Sequence, residues 1–173
     1  MQHEVVPLIT AEQIRRRVHE LGEQITRDYA GEPLLVVSVL KGSFVFTADL
    51  VREVELPLTV EFLGVRSYGS DTKTSGIVEI THDLTVPVGD RHVLVVEDIV
   101  DTGLTSHHLL ELVGTRRPRS VKLCALLHKP ARMRTAVAVD YLGFTIDDVF
   151  VVGYGLDWDQ RYRNLPFIGR VRS

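Results

Sequence analysis

Short runs of consecutive apolar residues limit the fold of this chain more than any other feature. Three such runs are LLVVSVL at 34–40, HVLVVEDI at 92–99 and SVKLCALLHK at 120–129. Each is rich in Val and Leu, which is typical of strands buried on both faces of a parallel sheet. Parallel strands need a crossover connection, and that connection is usually a helix. The chain is therefore expected to alternate strands with helices.

Helical patterns occupy the segments between these runs. A capping-box pattern at Thr10 begins a helix over 10–30, Ser43 can cap a second helix to about residue 54, and a third is expected over 105–112. Further strands are expected at 58–68, 77–81, 140–147 and 149–155. This order predicts an α/β fold, a parallel β-sheet core flanked by helices on both sides. Ligands of such sheets bind beyond the carboxyl ends of the strands, here just after residues 40, 98, 128 and 152.

The composition indicates one domain and excludes several classes of function. The 173 residues suffice for a single core, and a net charge of −3 provides no excess of positive charge for general nucleic-acid binding. The apolar runs fall short of the ~20 residues of a membrane span, and no secretory signal pattern is present. The single cysteine, Cys124, excludes an internal disulfide and is expected to be buried. We expect a cytoplasmic protein without nucleic-acid or membrane partners.

The segment VLVVEDIVDTGLT at 93–105 combines three carboxylates with an anion-binding turn. Backbone N–H groups at the start of a helix lack partners within the helix, and Gly103 lets a ligand approach them closely. Glu97 and Asp98 are acceptors that suit hydroxyl groups or a hard cation such as Mg²⁺. A phosphorylated ribose would satisfy the whole segment. The residues alone leave a second interpretation equally open, in which Asp101 caps an ordinary helix and the other acids lie at the surface.

Residues 95–105, VVEDIVDTGLT, resemble the phosphoribosyl diphosphate (PRPP) signature of the type I phosphoribosyltransferases. The resemblance implies that the first two acids hold the ribose hydroxyls, directly or through Mg²⁺, and that the turn wraps the 5′-phosphate. It also implies that Asp101 is the general base for the purine. The residues implied to bind PRPP are Glu97, Asp98, Asp101, Thr102, Gly103, Leu104 and Thr105.

Two short segments are similar to the hypoxanthine-guanine phosphoribosyltransferases. LKGS at 40–43 resembles their pyrophosphate loop, so Lys41 and Gly42 are implied to bind the leaving group. That family has a cis peptide before the lysine. Lys129 in LLHKP matches the lysine that donates to the 6-oxo group of the purine. An ammonium group can only donate, so it selects a carbonyl over the amino group of adenine.

The segment FVVGYGLDWDQRYRNLP at 150–166 carries the remaining part of the resemblance. Phe150 is implied to stack on the purine, although a phenylalanine before a valine run is by itself more typical of a core. Val151 is implied to contact the base through its backbone, Asp157 to lie near the base and a second metal ion, and Arg163 to bind pyrophosphate. The metal ligands implied by the resemblance are Glu97, Asp98 and Asp157.

The resemblance also implies an organisation for the whole chain. It comprises one domain over 1–173, with a core at about 10–149, a small hood from about 1–9 and 150–173, and a lid over about 67–80. Ser67 and Tyr68 would lie at the hinge of the lid, whose GSDTKTSG stretch is expected to be exposed and mobile. A homodimer or homotetramer is implied.

The implied activity is purine salvage, in which PRPP and a 6-oxopurine give a nucleoside monophosphate and pyrophosphate, with Mg²⁺ as cofactor. Two alternatives remain open from the sequence. One is a phosphoribosyltransferase that prefers xanthine or a pyrimidine. The other is a non-catalytic regulator that senses PRPP, which the acidic composition and the retained Asp101 and Lys129 disfavour.

Overall fold

A computed structural model describes residues 4–67 and 78–172. Its helices are α1 (Ala11–Asp28), α2 (Phe44–Glu53) and α3 (Leu104–Gly114). Its strands are β1 (Glu4–Ile9), β2 (Leu34–Leu40), β3 (Leu58–Ser67), β4 (Val78–His82), β5 (His92–Val100), β6 (Ser120–His128), β7 (Tyr141–Thr145), β8 (Val151–Val152) and β9 (Ile168–Arg172). The three helices and the strands of the main sheet confirm the segments predicted from apolar periodicity. No described helix is long and apolar enough to cross a membrane.

The main sheet has six strands in the order β4-β3-β2-β5-β6-β7. Neighbouring strands are parallel from β3 to β7, as predicted, whereas β4 pairs with β3 in the antiparallel sense. The connection between β3 and β4 spans only residues 68–77. This connection is shorter than the dozen residues that a parallel crossover needs, so β4 can only return antiparallel.

Helices cover both faces of the main sheet. Successive strand residues point to opposite faces, so Leu34 and Val36 pack with α1 and α2 while Leu35 and Val37 pack with α3. The strands thus read as continuous apolar runs because both faces are buried. Cys124 is fully buried and unpaired, which confirms the expectation for this residue.

Of the two side chains predicted to cap α1 and α2, one caps its helix and the other does not. At α1 the Thr10 hydroxyl accepts from the Gln13 N–H, and the Gln13 side chain accepts from the Thr10 N–H, which confirms the capping box. At α2 Ser43 occupies the N-cap position, but its hydroxyl donates to the Val39 carbonyl at 2.6 Å instead of capping the helix.

A second, three-stranded sheet has the order β1-β9-β8 and joins the two ends of the chain, where the hood was predicted. The strand predicted at 149–155 was too long, although it lies in the part of the chain predicted to form the hood. Only Val151–Val152 is a strand, and it pairs with β9 rather than with the main sheet. It ends there because Gly153 and Leu156 exchange two backbone hydrogen bonds across a tight turn. The domain boundaries proposed above stay a prediction.

Candidate active site

The carboxyl ends of the parallel strands border a cleft of about 450 Å³. β2 continues into the loop at Lys41, and β5 contributes Glu97 and Asp98 near its end. Ten residues predicted from the sequence line this one cavity: Lys41, Gly42, Glu97, Asp98, Asp101, Thr102, Gly103, Thr105, Asp157 and Arg163. These residues come from three separate parts of the chain, 41–42, 97–105 and 157–163, and the fold brings them together.

The turn after β5 presents the start of α3 to the cleft. Its N-cap is Gly103, with a φ of 82°, so the interpretation of Asp101 as the helix cap was wrong. A side chain at Gly103 would also overlap with the carbonyl oxygen of Thr135. The first N–H groups of a helix have no partner within the helix. Thr105 and Ser106, in the first turn of α3, line the cavity. The unpaired N–H groups of this turn therefore suit a bound phosphate.

Glu97 and Asp98 differ in how they meet the cleft. Glu97 is 4% exposed, and its Oε2 accepts from the Ser106 hydroxyl at 2.6 Å, while its buried Oε1 has no partner among the described residues. Burial raises the pKa of Glu97 to about 7, and the charge of Asp98 adds to the rise while the Ser106 hydroxyl opposes it. Burial also raises the pKa of Asp98, against a hydrogen bond from the Ile99 N–H. Ser106 had not been identified from the sequence.

The loop after β2 packs directly on these acids. The Leu40–Lys41 peptide is cis, as the resemblance implied. The Gly42 backbone lies so close to Asp98 that a side chain at Gly42 would overlap with the Asp98 carboxylate. Only glycine therefore fits at this position without moving the acid.

Gln160 joins the two cations of the cleft. Its Oε1 accepts from Lys41 Nζ at 3.3 Å and from Arg163 Nη2 at 3.2 Å. Arg163 also donates to the Gly155 carbonyl at 2.7 Å and pairs with Asp157 at 3.0 Å. Gln160 was missed because nothing in its sequence context indicates that it reaches Lys41, 119 residues away.

Asp101 is engaged by an arginine that the sequence reasoning did not assign to the site. Arg132 Nε donates to Asp101 Oδ1 at 2.7 Å, and the two side chains are 43% and 40% exposed. Arg132 lies in the short 3-10 turn that follows β6, three residues after Lys129. The spacing to Lys129 was visible in the sequence, but the contact with Asp101 depends on how β5 and β6 lie side by side.

Three of the predicted purine-binding residues, Lys129, Phe150 and Val151, lie outside the lining of this cavity, whereas Asp157 belongs to it. Lys129 is buried, with its Nζ 3.8 Å from Asp148. Phe150 is 55% exposed, so the core interpretation was wrong, and its ring meets Trp158 edge to face with centroids 5.9 Å apart. Val151 is buried in β8. Lys129 is nevertheless connected to the cleft, because Arg132 contacts both Asp148 and Asp101.

Three further predicted residues, Leu104, Ser67 and Tyr68, add little to the description of the cleft. Leu104, the first residue of α3, is half-buried and is not part of the cavity lining. Ser67 ends β3, and its side chain lies outside the described part of the structure, as do Tyr68 and the GSDTKTSG stretch. The lid therefore stays a prediction.

The acids fit a substrate-borne magnesium ion better than a metal site built from protein alone. Within residues 4–67 and 78–172, no three His, Cys, Asp or Glu side chains group closely enough to hold a metal ion. Mg²⁺ prefers oxygen ligands and commonly takes only one or two carboxylates together with substrate phosphates. Glu97 and Asp98 supply such oxygens, and Glu97 Oε1 still lacks a partner. Both oxygens of Asp157 are already engaged, by the Gln160 N–H and by Arg163.

Comparison with known proteins agrees with the geometry of this cleft. The phosphoribosyl transferase domain family matches residues 9–159, which is most of the chain. The chain belongs to the phosphoribosyltransferase family.

Relatives within this family are similar over nearly their whole length. The chain is 49% identical to the hypoxanthine-guanine phosphoribosyltransferase of Mycobacterium tuberculosis over 170 residues, 95% of this chain and 84% of the relative. It is 46% identical to the hypoxanthine phosphoribosyltransferase of Salmonella typhimurium, with 99% and 97% covered. A crystal structure of a hypoxanthine-guanine phosphoribosyltransferase from Bacillus anthracis superposes with a TM-score of 0.94 at 45% identity, with 98% and 100% covered. These similarities confirm the predicted type I fold.

Proposed function

We propose that this phosphoribosyltransferase is a purine salvage enzyme. It transfers the phosphoribosyl group of PRPP to a 6-oxopurine, hypoxanthine or guanine, and yields IMP or GMP with pyrophosphate. The observation that carries this proposal is one cleft that unites the buried Glu97 and the half-buried Asp98 with a helix start and a pair of cations. Those three features match the ribose hydroxyls, the 5′-phosphate and the diphosphate of PRPP.

Each part of PRPP has a partner of suitable chemistry. The 5′-phosphate accepts from the N–H groups of the turn at 101–105, where the positive end of the α3 dipole adds attraction. The ribose hydroxyls donate to Glu97 and Asp98. Lys41 and Arg163, which already meet at Gln160, neutralise the leaving diphosphate. Glu97 and Asp98 are the residues that would hold Mg²⁺, which would supply further charge neutralisation for the leaving group.

The base is proposed to bind between Lys129 and Phe150. The Lys129 ammonium donates to the 6-oxo group, the exposed Phe150 ring stacks on the purine, and the Val151 backbone meets its edge. Asp101 accepts the proton that the imidazole ring of the purine loses when its nitrogen attacks C1′. The bond from the purine nitrogen to C1′ forms as the bond from C1′ to the diphosphate breaks. The site must therefore hold the base, C1′ and the diphosphate in line.

The remaining parts of the proposal rest on family resemblance. A lid over about 67–80, with Ser67 and Tyr68 at its hinge, would exclude water during transfer. Asp157 would bind the second metal ion after its contacts with Arg163 and Gln160 rearrange. A homodimer or homotetramer and a cytoplasmic location are proposed on the same basis.

An assay of the purified protein tests the proposed function. PRPP and Mg²⁺ are supplied with hypoxanthine, guanine, xanthine, adenine or uracil, and nucleotide and pyrophosphate are both measured. We expect turnover with hypoxanthine or guanine, little with adenine and uracil, and none after excess chelator removes Mg²⁺. Absence of turnover with every purine would contradict the proposal and favour a PRPP-sensing protein, and preference for uracil would contradict the 6-oxopurine assignment.

A further inference from the structure

Four charged side chains form a line of alternating sign beside the cleft. Arg132 donates to Asp101 at 2.7 Å, and its Nη1 lies 3.6 Å from Asp148 Oδ2. The other oxygen of Asp148 lies 3.8 Å from Lys129 Nζ. Among the described residues, Asp148 is the one carboxylate that forms an ion pair with Lys129. It lies in the connection between β7 and β8, apart from the segments that carry the other three charges.

Burial makes this pairing important for Lys129. Its side chain is only 9% exposed, and a buried ammonium is costly without an opposite charge nearby. The distance of 3.8 Å is too long for a hydrogen bond. Asp148 therefore balances the charge of Lys129 and leaves its N–H donors available for a ligand.

Two hydrogen bonds fix the backbone of Lys129, so only its side chain can move. The Lys129 N–H donates to the Val100 carbonyl at 3.0 Å, and the Arg132 N–H donates to the Lys129 carbonyl at 3.1 Å. The turn thus holds two cations three residues apart, and these repel each other. Asp148 lies 3.8 Å from the Lys129 ammonium and 3.6 Å from Arg132 Nη1, so its negative charge offsets the repulsion between the two cations.

We propose that Asp148 is a positioning residue for recognition of the 6-oxopurine. Its charge attracts the Lys129 ammonium and holds it toward the base, and through Arg132 it connects that lysine to Asp101. The inference rests on the proposed function, in which Lys129 contacts the 6-oxo group. It adds a residue that acts through Lys129 and does not itself touch PRPP.

The variant Asp148→Asn tests this role, because it removes the charge and keeps the shape of the side chain. Asp147→Asn is the matched control, since the neighbouring Asp147 is exposed and its side chain makes no ion pair or hydrogen bond among the described residues. We expect Asp148→Asn to raise KM for hypoxanthine roughly three- to tenfold and to lower the preference for hypoxanthine over adenine. The Kd for PRPP should stay within about twofold of the wild-type value, because the turn at 101–105 is unchanged. Asp148→Glu, which restores the charge, should recover most of the lost preference.

The outcomes separate this inference from the proposed function. If the wild-type protein turns over hypoxanthine but Asp148→Asn behaves like Asp147→Asn, the role of Asp148 is refuted and the function stands. Equal weakening of PRPP and purine binding would also refute it, since that pattern indicates a general disturbance of the fold. If the wild-type protein shows no turnover with any purine, the proposed function and this inference both fail.

Discussion

Asp101 is the residue proposed to remove the proton, and Lys129 is the residue proposed to recognise the base. Their roles follow from what their side chains can do: a carboxylate accepts a proton, and an ammonium only donates. The structure adds the partners, because Arg132 bonds to Asp101 and Asp148 pairs with Lys129. Neither partner belongs to the motif that contains the residue it contacts, so the motifs identify the two active groups without showing what holds them.

Replacement of Lys129 by Gln tests whether this residue recognises the 6-oxo group of the purine. The amide of Gln can accept as well as donate and carries no charge, so discrimination between a carbonyl and an amino group should weaken. We expect kcat/KM for hypoxanthine to fall roughly 10- to 100-fold. This loss corresponds to the free energy of a hydrogen bond to a charged group. Steady-state kinetics with hypoxanthine and adenine measure the effect.

Lys122→Gln is the control for that variant. Lys122 belongs to β6, the strand that ends just before Lys129, but its ammonium lies over the rings of Tyr29 and Tyr141, away from the cleft. Unchanged hypoxanthine kinetics in Lys129→Gln would refute the recognition role, as would an equal loss in Lys122→Gln.

The positions of the catalytic candidates were predictable from sequence, but their local contacts were not. Glu97 and Asp98 were recognisable as acids at the end of a buried strand. That Ser106 bonds to Glu97, or that Gln160 joins Lys41 to Arg163, depends on three-dimensional packing. Burial, which raises the pKa of Glu97 to about 7, is likewise a property of the folded chain.

Helices and strands place these residues because parallel strands end at a common edge. β2 and β5 are neighbours in the main sheet, so the loop after β2 and the turn after β5 meet at the cleft. Apolar periodicity was sufficient to predict both elements. It could not predict the direction of β4, which was set by the length of its connection to β3, or the shortness of β8.

The contact between α1 and α2 supports a prediction on stability. His19 of α1 bonds through Nδ1 to Glu53 of α2 at 2.7 Å, and Glu23 lies 3.7 Å from its other nitrogen. The bond to Glu53 is the main cause that raises the pKa of His19, with Glu23 adding to it and Arg15 opposing it. Since the folded-state pKa exceeds the unfolded value of about 6.5, the stabilisation is fully present below that pH. It is lost as the pH rises through the folded-state pKa.

Thermal unfolding of His19→Gln measures this effect. The variant should unfold at a lower temperature than the wild type at about pH 5.5, and the difference should shrink at about pH 9. His108→Gln is the control, because His108 is exposed on α3 and makes no described ion pair or hydrogen bond through its side chain. A difference that grows with pH would contradict the pairing.

Across the whole molecule, the second sheet and the cleft are physically linked. The segment that follows β8 carries Asp157 and Arg163 into the cleft, and β9 then returns to pair with β1. Arg163 bonds to the carbonyl of Gly155, which steadies this segment. Residues from the end of the chain therefore complete a site whose acids come from the middle of the chain.

This long-range assembly was the part least accessible to sequence patterns. β1 and β9 pair over a separation of most of the chain, with Glu4 opposite Arg172, and no local periodicity encodes such a partner. Family resemblance predicted that the two ends would form a hood. The pairing and its register became visible only in the folded structure.

The central claim is that the cleft is a phosphoribosyl-transfer site in which Asp101 removes a proton from the purine. The variant Asp101→Asn keeps the size of the side chain and removes its ability to act as a base, and Asp147→Asn again serves as the control. Turnover of hypoxanthine and the Kd for PRPP are measured on the same preparation. We predict that turnover falls roughly 100-fold or more while PRPP still binds. Turnover equal to that of the wild type would contradict the claim.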